Sequence, residues 1–206
     1  MTPIEDIKAR MRAEALLRRA AAHRDGGPEA AEAVQRHFMA ALGNGISLAP
    51  GAVVSGYWPM RDELDIRPLL ERLAGAGYVC ALPVVGPRGT PLSFRRWRPG
   101  DELASAGFGT TEPATRAEPV SPDLLLTPLL AFDAAGGRLG YGAAYYDITL
   151  RALRRAGEAV AVGIAFDAQR IDAAPHEDHD EPLDWVITET GAHRCRPREQ
   201  SGKGKT

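Results

Sequence analysis

The sequence predicts an α/β protein with a single, doubly wound, mainly parallel sheet and helices on both faces, a Rossmann-like arrangement. Residues 124–126 and 159–165 are continuous apolar runs rather than alternating ones, as expected for strands that are covered on both sides. Helical patterns alternate with these runs along the chain, which favours parallel strands joined by crossovers. A length of 206 residues suits one domain.

Composition narrows the class of function. The chain is 44% hydrophobic and 25% charged, as in ordinary globular proteins, and its net charge of −2 gives no electrostatic case for a nucleic-acid partner. Cys80 and Cys195 form no C-x-x-C pair, and no apolar run reaches the roughly 18 residues that a membrane span needs. The start of the chain is charged and helical, unlike a signal peptide. We therefore expect a soluble, cytoplasmic protein without a nucleic-acid or membrane partner.

The first elements are two helices. Residues 2–5 (Thr-Pro-Ile-Glu) fit a capping box with proline at the first helical position, and the helix continues to about His23. Gly26 and Gly27 break the chain, and a second helix covers residues 28–42. Lys8 and Arg12 lie four residues apart and therefore side by side. From this spacing alone, they are interpreted as a solvated basic face.

Two strands follow, at residues 52–57 and 78–83, with a helix between them. Asp65 is the expected N-cap of that helix, which extends through Leu73. Glu63 comes after the first strand, at the end of the sheet where open α/β proteins bind ligands, although a single loop glutamate can equally lie in solvent. Residues 91–97 are predicted to form an edge strand, and residues 101–123 a long polar loop.

The stretch from residue 124 to 147 gives the strongest functional signal: a strand, a glycine-containing loop and a helix start. Backbone N–H groups at such a helix start favour anions, so the loop is a candidate phosphate site, with a plain tight turn as the alternative. Arg138 adds a cation, and Asp147 a carboxylate suited to hydrated Mg²⁺ on the same phosphates. The Walker pattern is absent, and Tyr145 occupies a position where a dinucleotide loop requires Gly or Ala. A helix at residues 146–155 and a last strand at 185–188 complete the elements.

Three segments of this stretch, Phe132-Asp133, residues 137–142 and residues 145–147, resemble the signature of the 5-formyltetrahydrofolate cyclo-ligase family. Further matches are the K-x-x-x-R of Lys8 and Arg12, the Glu-Leu-Asp at residues 63–65, and residues 175–189, which are similar to the family's closing segment. The resemblance covers most of residues 3–190. We therefore expect one domain at residues 1–192 and a disordered polar tail at 193–206.

The resemblance implies a reaction: ATP- and Mg²⁺-dependent closure of 5-formyltetrahydrofolate to 5,10-methenyltetrahydrofolate, through a phosphorylated formyl oxygen, with release of ADP and phosphate. It implies catalytic roles for Arg138 and Tyr145, folate binding by Glu63 and Tyr145, and Mg²⁺ binding by Asp147 and Asp184, the latter with a helix or strand cap as its alternative. The implied ATP contacts are Lys8, Arg12, Arg138, Leu139, Gly140, Tyr141, Gly142, Ala143, Ala144, Tyr145 and Tyr146. Replacing Arg138 by alanine is expected to remove most turnover while changing thermal stability little.

One position departs from the family pattern, since Ala144 stands where the family usually has its last glycine before Tyr-Tyr-Asp. A left-handed backbone there costs roughly 1–2 kcal/mol for a residue with a Cβ, whereas a helical backbone costs nothing. If the position instead needs only a close approach to phosphate, the methyl group would clash with it directly. Two alternatives to the enzyme stay open. One is a catalytically weak relative that binds folate or nucleotide, and the other is a generic phosphate-binding α/β module. The His176 and His179 pair invites a zinc site, but no helix supports the spacing and no fourth ligand is apparent.

Overall fold

The computed structural model describes residues 3–107, 110–157 and 159–196. Within these ranges the chain forms three helices, twelve strands and a 3-10 turn at Asp167–Gln169. In chain order the elements are α1 Pro3–Ala41, β1 Val53–Ser55, α2 Arg67–Gly75, β2 Val79–Val84, β3 Ser93–Arg96, β4 Leu103–Ser105, β5 Thr111–Pro113, β6 Pro119–Val120, β7 Leu124–Pro128, β8 Ala131–Phe132, β9 Arg138–Leu139, α3 Tyr145–Ala156, β10 Val160–Ile164, β11 Trp185–Thr188 and β12 Gly191–Arg194.

The main sheet has the strand order β12-β11-β10-β7-β1-β2-β3-β6. Its five central strands, β11, β10, β7, β1 and β2, are parallel. On one side β12 pairs antiparallel with β11, and on the other β3 pairs antiparallel with β2 and β6 with β3. The predicted mainly parallel sheet is confirmed. The chain moves outward from β1 to β2 in one direction and from β7 to β10 in the other. The boundary between β1 and β7 is therefore the topological switch point, where a doubly wound sheet opens its ligand crevice.

Helices cover both faces of this sheet, as predicted. Leu124 and Leu126 pack into a core with Phe38 of α1 and Leu70 of α2. Leu125, between them in sequence, packs on the other face with Leu150 of α3. Because successive strand residues point to opposite faces and both faces are buried, the strand must be apolar throughout. None of the helices within the described ranges is long and apolar enough to cross a membrane.

The helices differ from expectation at their ends. α1 is one long element with a break in its helical geometry at Gly26 (φ −174°, ψ 32°), so the two expected helices meet there without an intervening loop. The N-cap of α2 is Ile66 rather than Asp65. Asp65 instead accepts hydrogen bonds from the Arg67 backbone N–H (2.9 Å) and guanidinium. The expected capping residue of α1, Thr2, lies outside the described residues.

Short strands account for the other differences. The expected loop at 101–123 contains β4, β5 and β6, and β3 is not at the edge because β6 pairs with it. Residues His193 and Arg194, expected in a disordered tail, lie in β12, which pairs with β11. Residues 197–206 of that expected tail lie outside the described residues. Whether a segment of two to four residues forms a strand depends on the strand that it pairs with rather than on its own sequence pattern. This dependence on pairing explains all of these differences.

A small hairpin, β8 with β9, separates β7 from α3. The Asp133 carboxylate braces its turn by accepting hydrogen bonds from the backbone N–H groups of Ala135, Gly137 and Ala174, at 2.8–2.9 Å. The passage from strand to glycine loop therefore runs through a turn at residues 133–137. The hairpin delivers residues 140–144, called here the glycine loop, to the start of α3.

Candidate active site

Three cations lie on one face of α1. Lys8, Arg12 and Arg19 follow each other at i, i+4 and i+11, with Ala15 between them, so they form a single stripe along the helix. This stripe is buried against loops: Lys8 is 8% exposed and Arg19 1%. The interpretation of a solvated basic face is therefore wrong. A different side of the helix faces solvent more, since Ile7 on that side is 41% exposed.

Arg12 holds the glycine loop. Its Nε donates a hydrogen bond to the Gly140 carbonyl oxygen at 2.9 Å. Gly142 has a φ of +94°, and a Cβ at this position would lie 3.2 Å from Arg12 Nη2. The loop therefore needs glycine at 142 both for its backbone conformation and for the close approach of the guanidinium.

Lys8 binds an acidic segment, residues 177–181. Its Nζ lies 2.6 Å from Glu177 Oε2 and 3.1 Å from Asp180 Oδ2. Burial opposes the charge of Lys8, but the two carboxylates outweigh burial and raise the pKa of its ammonium group. A phosphate group that approached Lys8 would compete with these carboxylates for the same cation.

Glu63 is buried at the end of the turn that follows β1, with 3% exposure, contrary to the solvent alternative. Its Oε2 accepts a hydrogen bond from the Met60 N–H at 3.0 Å, and its Oε1 accepts one from the Tyr141 hydroxyl at 3.1 Å. Burial raises the pKa of its carboxyl group. Within the same turn, Arg61 holds a positive φ of 54°, a strained conformation of the kind that recurs at binding sites.

Arg19 is the site residue that sequence reasoning missed. Its Nη2 donates hydrogen bonds to Asp62 Oδ1 at 2.8 Å and to the Tyr141 hydroxyl at 2.7 Å. The available signal was its position on the stripe of Lys8 and Arg12, seven residues beyond Arg12. Arg19 therefore joins three segments: α1, the turn after β1 and the glycine loop.

A narrow recess lies at this junction. Its walls include Arg19 and Glu63, together with Tyr57 and Leu64 from the segment after β1, and Pro128 and Leu129 at the end of β7. The recess thus lies at the carboxyl ends of β1 and β7, the switch point of the sheet. The glycine loop reaches it through Tyr141.

Arg138 has a bridging position. Its side chain is 6% exposed, its Nη2 lies 2.6 Å from Asp147 Oδ1, and its Nη1 donates to the Glu181 carbonyl oxygen. Burial lowers the pKa of this guanidinium. Arg138 thereby ties β9 to α3 and to the acidic segment. Because the guanidinium is buried and paired, we now expect its removal to lower stability, unlike the expectation from the sequence.

Asp147 and Asp184, the two predicted Mg²⁺ ligands, have different hydrogen-bond partners. Asp147 Oδ1 accepts from Arg138 and from the Glu181 N–H, in the first turn of α3. Asp184 Oδ2 accepts from the Ala161 N–H and from Arg154 in the last turn of α3, both at 2.8 Å. Asp147 and Arg154 are seven residues apart, about 10 Å along the helix axis. Asp184 therefore caps the start of β10, the alternative interpretation.

Of the two predicted Mg²⁺ ligands, Asp147 is the one that lies next to the glycine loop. The described residues contain no group of three or more His, Cys, Asp or Glu side chains that could hold a metal ion. Mg²⁺ bound with nucleotide phosphates commonly uses only one or two carboxylates and keeps several waters. Asp147, at the start of α3 next to the glycine loop and 20% exposed, meets that requirement.

Comparison with known proteins decides the family, because the sequence profile described as the 5-formyltetrahydrofolate cyclo-ligase family matches residues 4–189. The chain belongs to this family. It is similar to the 5-formyltetrahydrofolate cyclo-ligase of Escherichia coli K12, with 39% identity over 131 residues that cover 61% of this chain and 71% of the relative. It is also similar to that of Mycolicibacterium smegmatis, with 32% identity over 169 residues that cover 78% and 85%.

Two solved structures have the same fold as this chain. The NMR structure of Aquifex aeolicus 5,10-methenyltetrahydrofolate synthetase superposes with a TM-score of 0.73 at 26% identity, covering 97% of this chain and 96% of that one. The 5,10-methenyltetrahydrofolate synthetase of Mycoplasma pneumoniae gives a TM-score of 0.68 at 22% identity, covering 88% and 98%.

The other predicted ATP-contact residues occupy different environments. Leu139 is buried with Leu130 and Ala15, so only its backbone is placed to meet a ligand. The Tyr145 hydroxyl donates to the Gly86 carbonyl oxygen at 3.0 Å. Ala143 and Tyr146 are partly buried. Ala144, the N-cap of α3, has φ 57° and ψ 11°, which selects the left-handed option among those that the sequence left open.

Proposed function

We propose that this protein closes 5-formyltetrahydrofolate to 5,10-methenyltetrahydrofolate and converts ATP to ADP and phosphate in the same reaction. The observation that carries the proposal is the meeting of two different sites at one switch point. A glycine loop with cations lies beside a recess with a buried carboxylate, and Tyr141 touches both. One site suits a nucleotide and the other a ring with N–H donors. Family membership identifies the two substrates.

The chemistry explains why two adjacent sites are needed. The formyl group is an amide-like carbonyl, and its oxygen cannot leave as hydroxide. In the proposed sequence the formyl oxygen attacks the terminal phosphorus of ATP and ADP departs. The N10 nitrogen of folate then forms a bond to the formyl carbon and loses its proton, while the C–O bond breaks and phosphate leaves with that oxygen. The protein supplies positioning and positive charge rather than a covalent nucleophile.

Roles follow from where each side chain lies. Lys8 and Arg12, with the backbone of the glycine loop, are proposed to bind the ATP phosphates, and Lys8 would exchange its acidic partners for them. Asp147 would hold Mg²⁺, which supplies charge neutralisation on the phosphates when bound. Arg138 keeps Asp147 in place through their ion pair. Tyr145, next to the loop, is proposed to contact both substrates.

Glu63 is proposed to bind the pterin ring of the folate. A carboxylate accepts the paired N–H donors at one edge of such a ring, and the recess excludes water around it. Because ring binding at Glu63 and phosphate binding at the glycine loop lie on either side of Tyr141, the formyl group between them can meet the terminal phosphate. We further propose a cytoplasmic enzyme that works as a monomer or weak homodimer.

The test is a spectrophotometric assay for the methenyl product with and without ATP. We expect product only with ATP, a large loss in Glu63→Gln, and activity close to wild type in Glu29→Gln, an exposed glutamate on α1. Binding of both ligands without product would indicate the catalytically weak relative. Binding of ATP without affinity for the folate would indicate the generic phosphate-binding module.

A further inference from the structure

Arg19 carries two hydrogen-bond donors that the fold does not use. Its side chain is 1% exposed, yet Nε and Nη1 have no hydrogen-bond partner among the described residues. Buried polar groups are almost always paired, because an unpaired one costs about 1–3 kcal/mol. A guanidinium in this condition requires an explanation, and a ligand that supplies the missing acceptor is one.

These donors lie beside an acceptor. Arg19 and Glu63 both line the recess at the switch point, and Arg19 Nη1 is 3.7 Å from Glu63 Oε1, too far for a hydrogen bond. Asp62 holds the other end of the guanidinium through Nη2, at 2.8 Å, so the planar group cannot rotate freely. The recess therefore presents a fixed donor next to a fixed acceptor.

We infer that Arg19 recognises the ring carbonyl of the folate, an inference that rests on the proposed function. The ring edge of 5-formyltetrahydrofolate has an amino group and a ring N–H, which are donors, followed by a carbonyl oxygen at C4, which is an acceptor. Glu63 takes the donors and Arg19 donates to the C4 oxygen. One carboxylate and one guanidinium thus match the whole edge, and Arg19 selects a 4-oxo ring over a ring without that oxygen.

Tyr141 takes the place of the ring in this structure. Its hydroxyl donates to Glu63 Oε1 and accepts from Arg19 Nη2, the same exchange of donor and acceptor that the ring edge would make. Tyr141 is 47% exposed and belongs to the glycine loop, so it has room to move outward. Folate binding then displaces Tyr141 from Glu63 and Arg19.

The test measures selectivity by calorimetry. Dissociation constants are compared for 5-formyltetrahydrofolate, for its analogue with an amino group in place of the C4 oxygen, and for ATP. For Arg19→Met we expect at least tenfold weaker binding of 5-formyltetrahydrofolate, at least a tenfold fall in the preference for the 4-oxo ring, and ATP binding within twofold of wild type. Arg18→Met, the neighbouring exposed arginine of α1, should match wild type throughout.

A preference for the 4-oxo ring that is unchanged in Arg19→Met would overturn the inference. If that variant does not fold, Arg19→Lys decides the question, because it keeps the charge but cannot hold Asp62 and reach the ring oxygen together. The same fall in preference is expected for it, and an unchanged preference would again overturn the inference. Methenyl formation by the wild type is measured alongside. An inactive wild type contradicts the proposed function, whereas an active wild type with unchanged selectivity in the variants contradicts only this inference.

Discussion

Ala144 shows how a single side chain bears on the site. Among the described residues, Ala144 and Arg61 are the non-glycine residues with positive φ, and the family usually has glycine at the former position. The Cβ of alanine disfavours this conformation by roughly 1–2 kcal/mol. The cost falls on the fold of the loop, since Ala144 is also the N-cap of α3.

Replacing Ala144 by glycine is therefore expected to stabilise the protein. Relief of strain, less the greater freedom that glycine gives the unfolded chain, leaves a gain of about 0.5–1 kcal/mol. Urea unfolding measures this gain. Ala143→Gly, one residue earlier and without a positive φ, should give no gain. Equal effects of the two substitutions would show that strain at 144 is not the cause.

Glu63 should make stability fall as pH rises. Burial raises the pKa of its carboxyl group in the folded protein above the ordinary value of 4.5. Between these two values the folded state binds more protons than the unfolded state, so the free energy of unfolding decreases with increasing pH through that window. Relative to Glu63→Gln, the wild type should lose stability as pH increases upward from 4.5, as measured by urea unfolding at a series of pH values.

The control for this pH series is Glu29→Gln, which removes an exposed carboxylate and should follow the wild-type curve. A difference between wild type and Glu63→Gln that stays constant with pH, or that grows in the opposite direction, would contradict the burial argument.

At the residue scale, short motifs were enough to single out Lys8, Arg12 and Glu63 as candidate site residues. Arg19 was not singled out, because the sequence does not show which stripe of a helix its loops will cover.

At the scale of elements, the acidic segment is bound at several points along α3. Arg138 and Asp147 hold the segment at the first turn, whereas Arg151 and Arg154 bind Glu181 further along. Asp184 meets Arg154 near the end of the helix. Asp147 lies in the first turn of α3, whereas Asp184 pairs with Arg154 in its last turn. No sequence pattern shows that Asp184 would form an ion pair with Arg154, which lies on a different element.

Arg138→Ala should lose both turnover and stability. It removes a buried guanidinium and leaves Asp147 without its ion pair, a loss of about 2–3 kcal/mol in the free energy of unfolding. Thermal and urea unfolding measure it directly. Arg155→Ala, an exposed arginine at the end of the same helix, should stay within about 0.5 kcal/mol of wild type. An Arg138→Ala protein as stable as wild type would remove the bridging role.

The two aspartates should respond differently to Mg²⁺. In Asp147→Asn the Mg²⁺ concentration for half-maximal turnover should rise at least tenfold, because the proposed ligand is weakened. In Asp184→Asn that concentration should shift less than twofold, while stability falls by about 1 kcal/mol with the lost cap and ion pair. Turnover titrations in Mg²⁺ distinguish them, and excess chelator should stop the wild type. Equal shifts in the two variants would restore the paired-aspartate hypothesis.

At the scale of the whole molecule, the apolar strands and the helix periodicity were enough to predict the sheet, its parallel centre and its two helical layers. The hairpin before the glycine loop and the short strands β4, β5, β6 and β12 were not predictable, because such strands exist only by pairing with a neighbour. The switch point between β1 and β7 is a property of the complete strand order. That order places the proposed ring site and the proposed phosphate site side by side.

The central claim is that this adjacency lets ATP convert the formyl oxygen into a leaving group. The most direct measurement follows that oxygen through one turnover. With 5-formyltetrahydrofolate labelled by ¹⁸O in the formyl group, mass spectrometry of the products should find one labelled oxygen in the inorganic phosphate for each methenyl product formed. Label released into water, with unlabelled phosphate, would contradict the account.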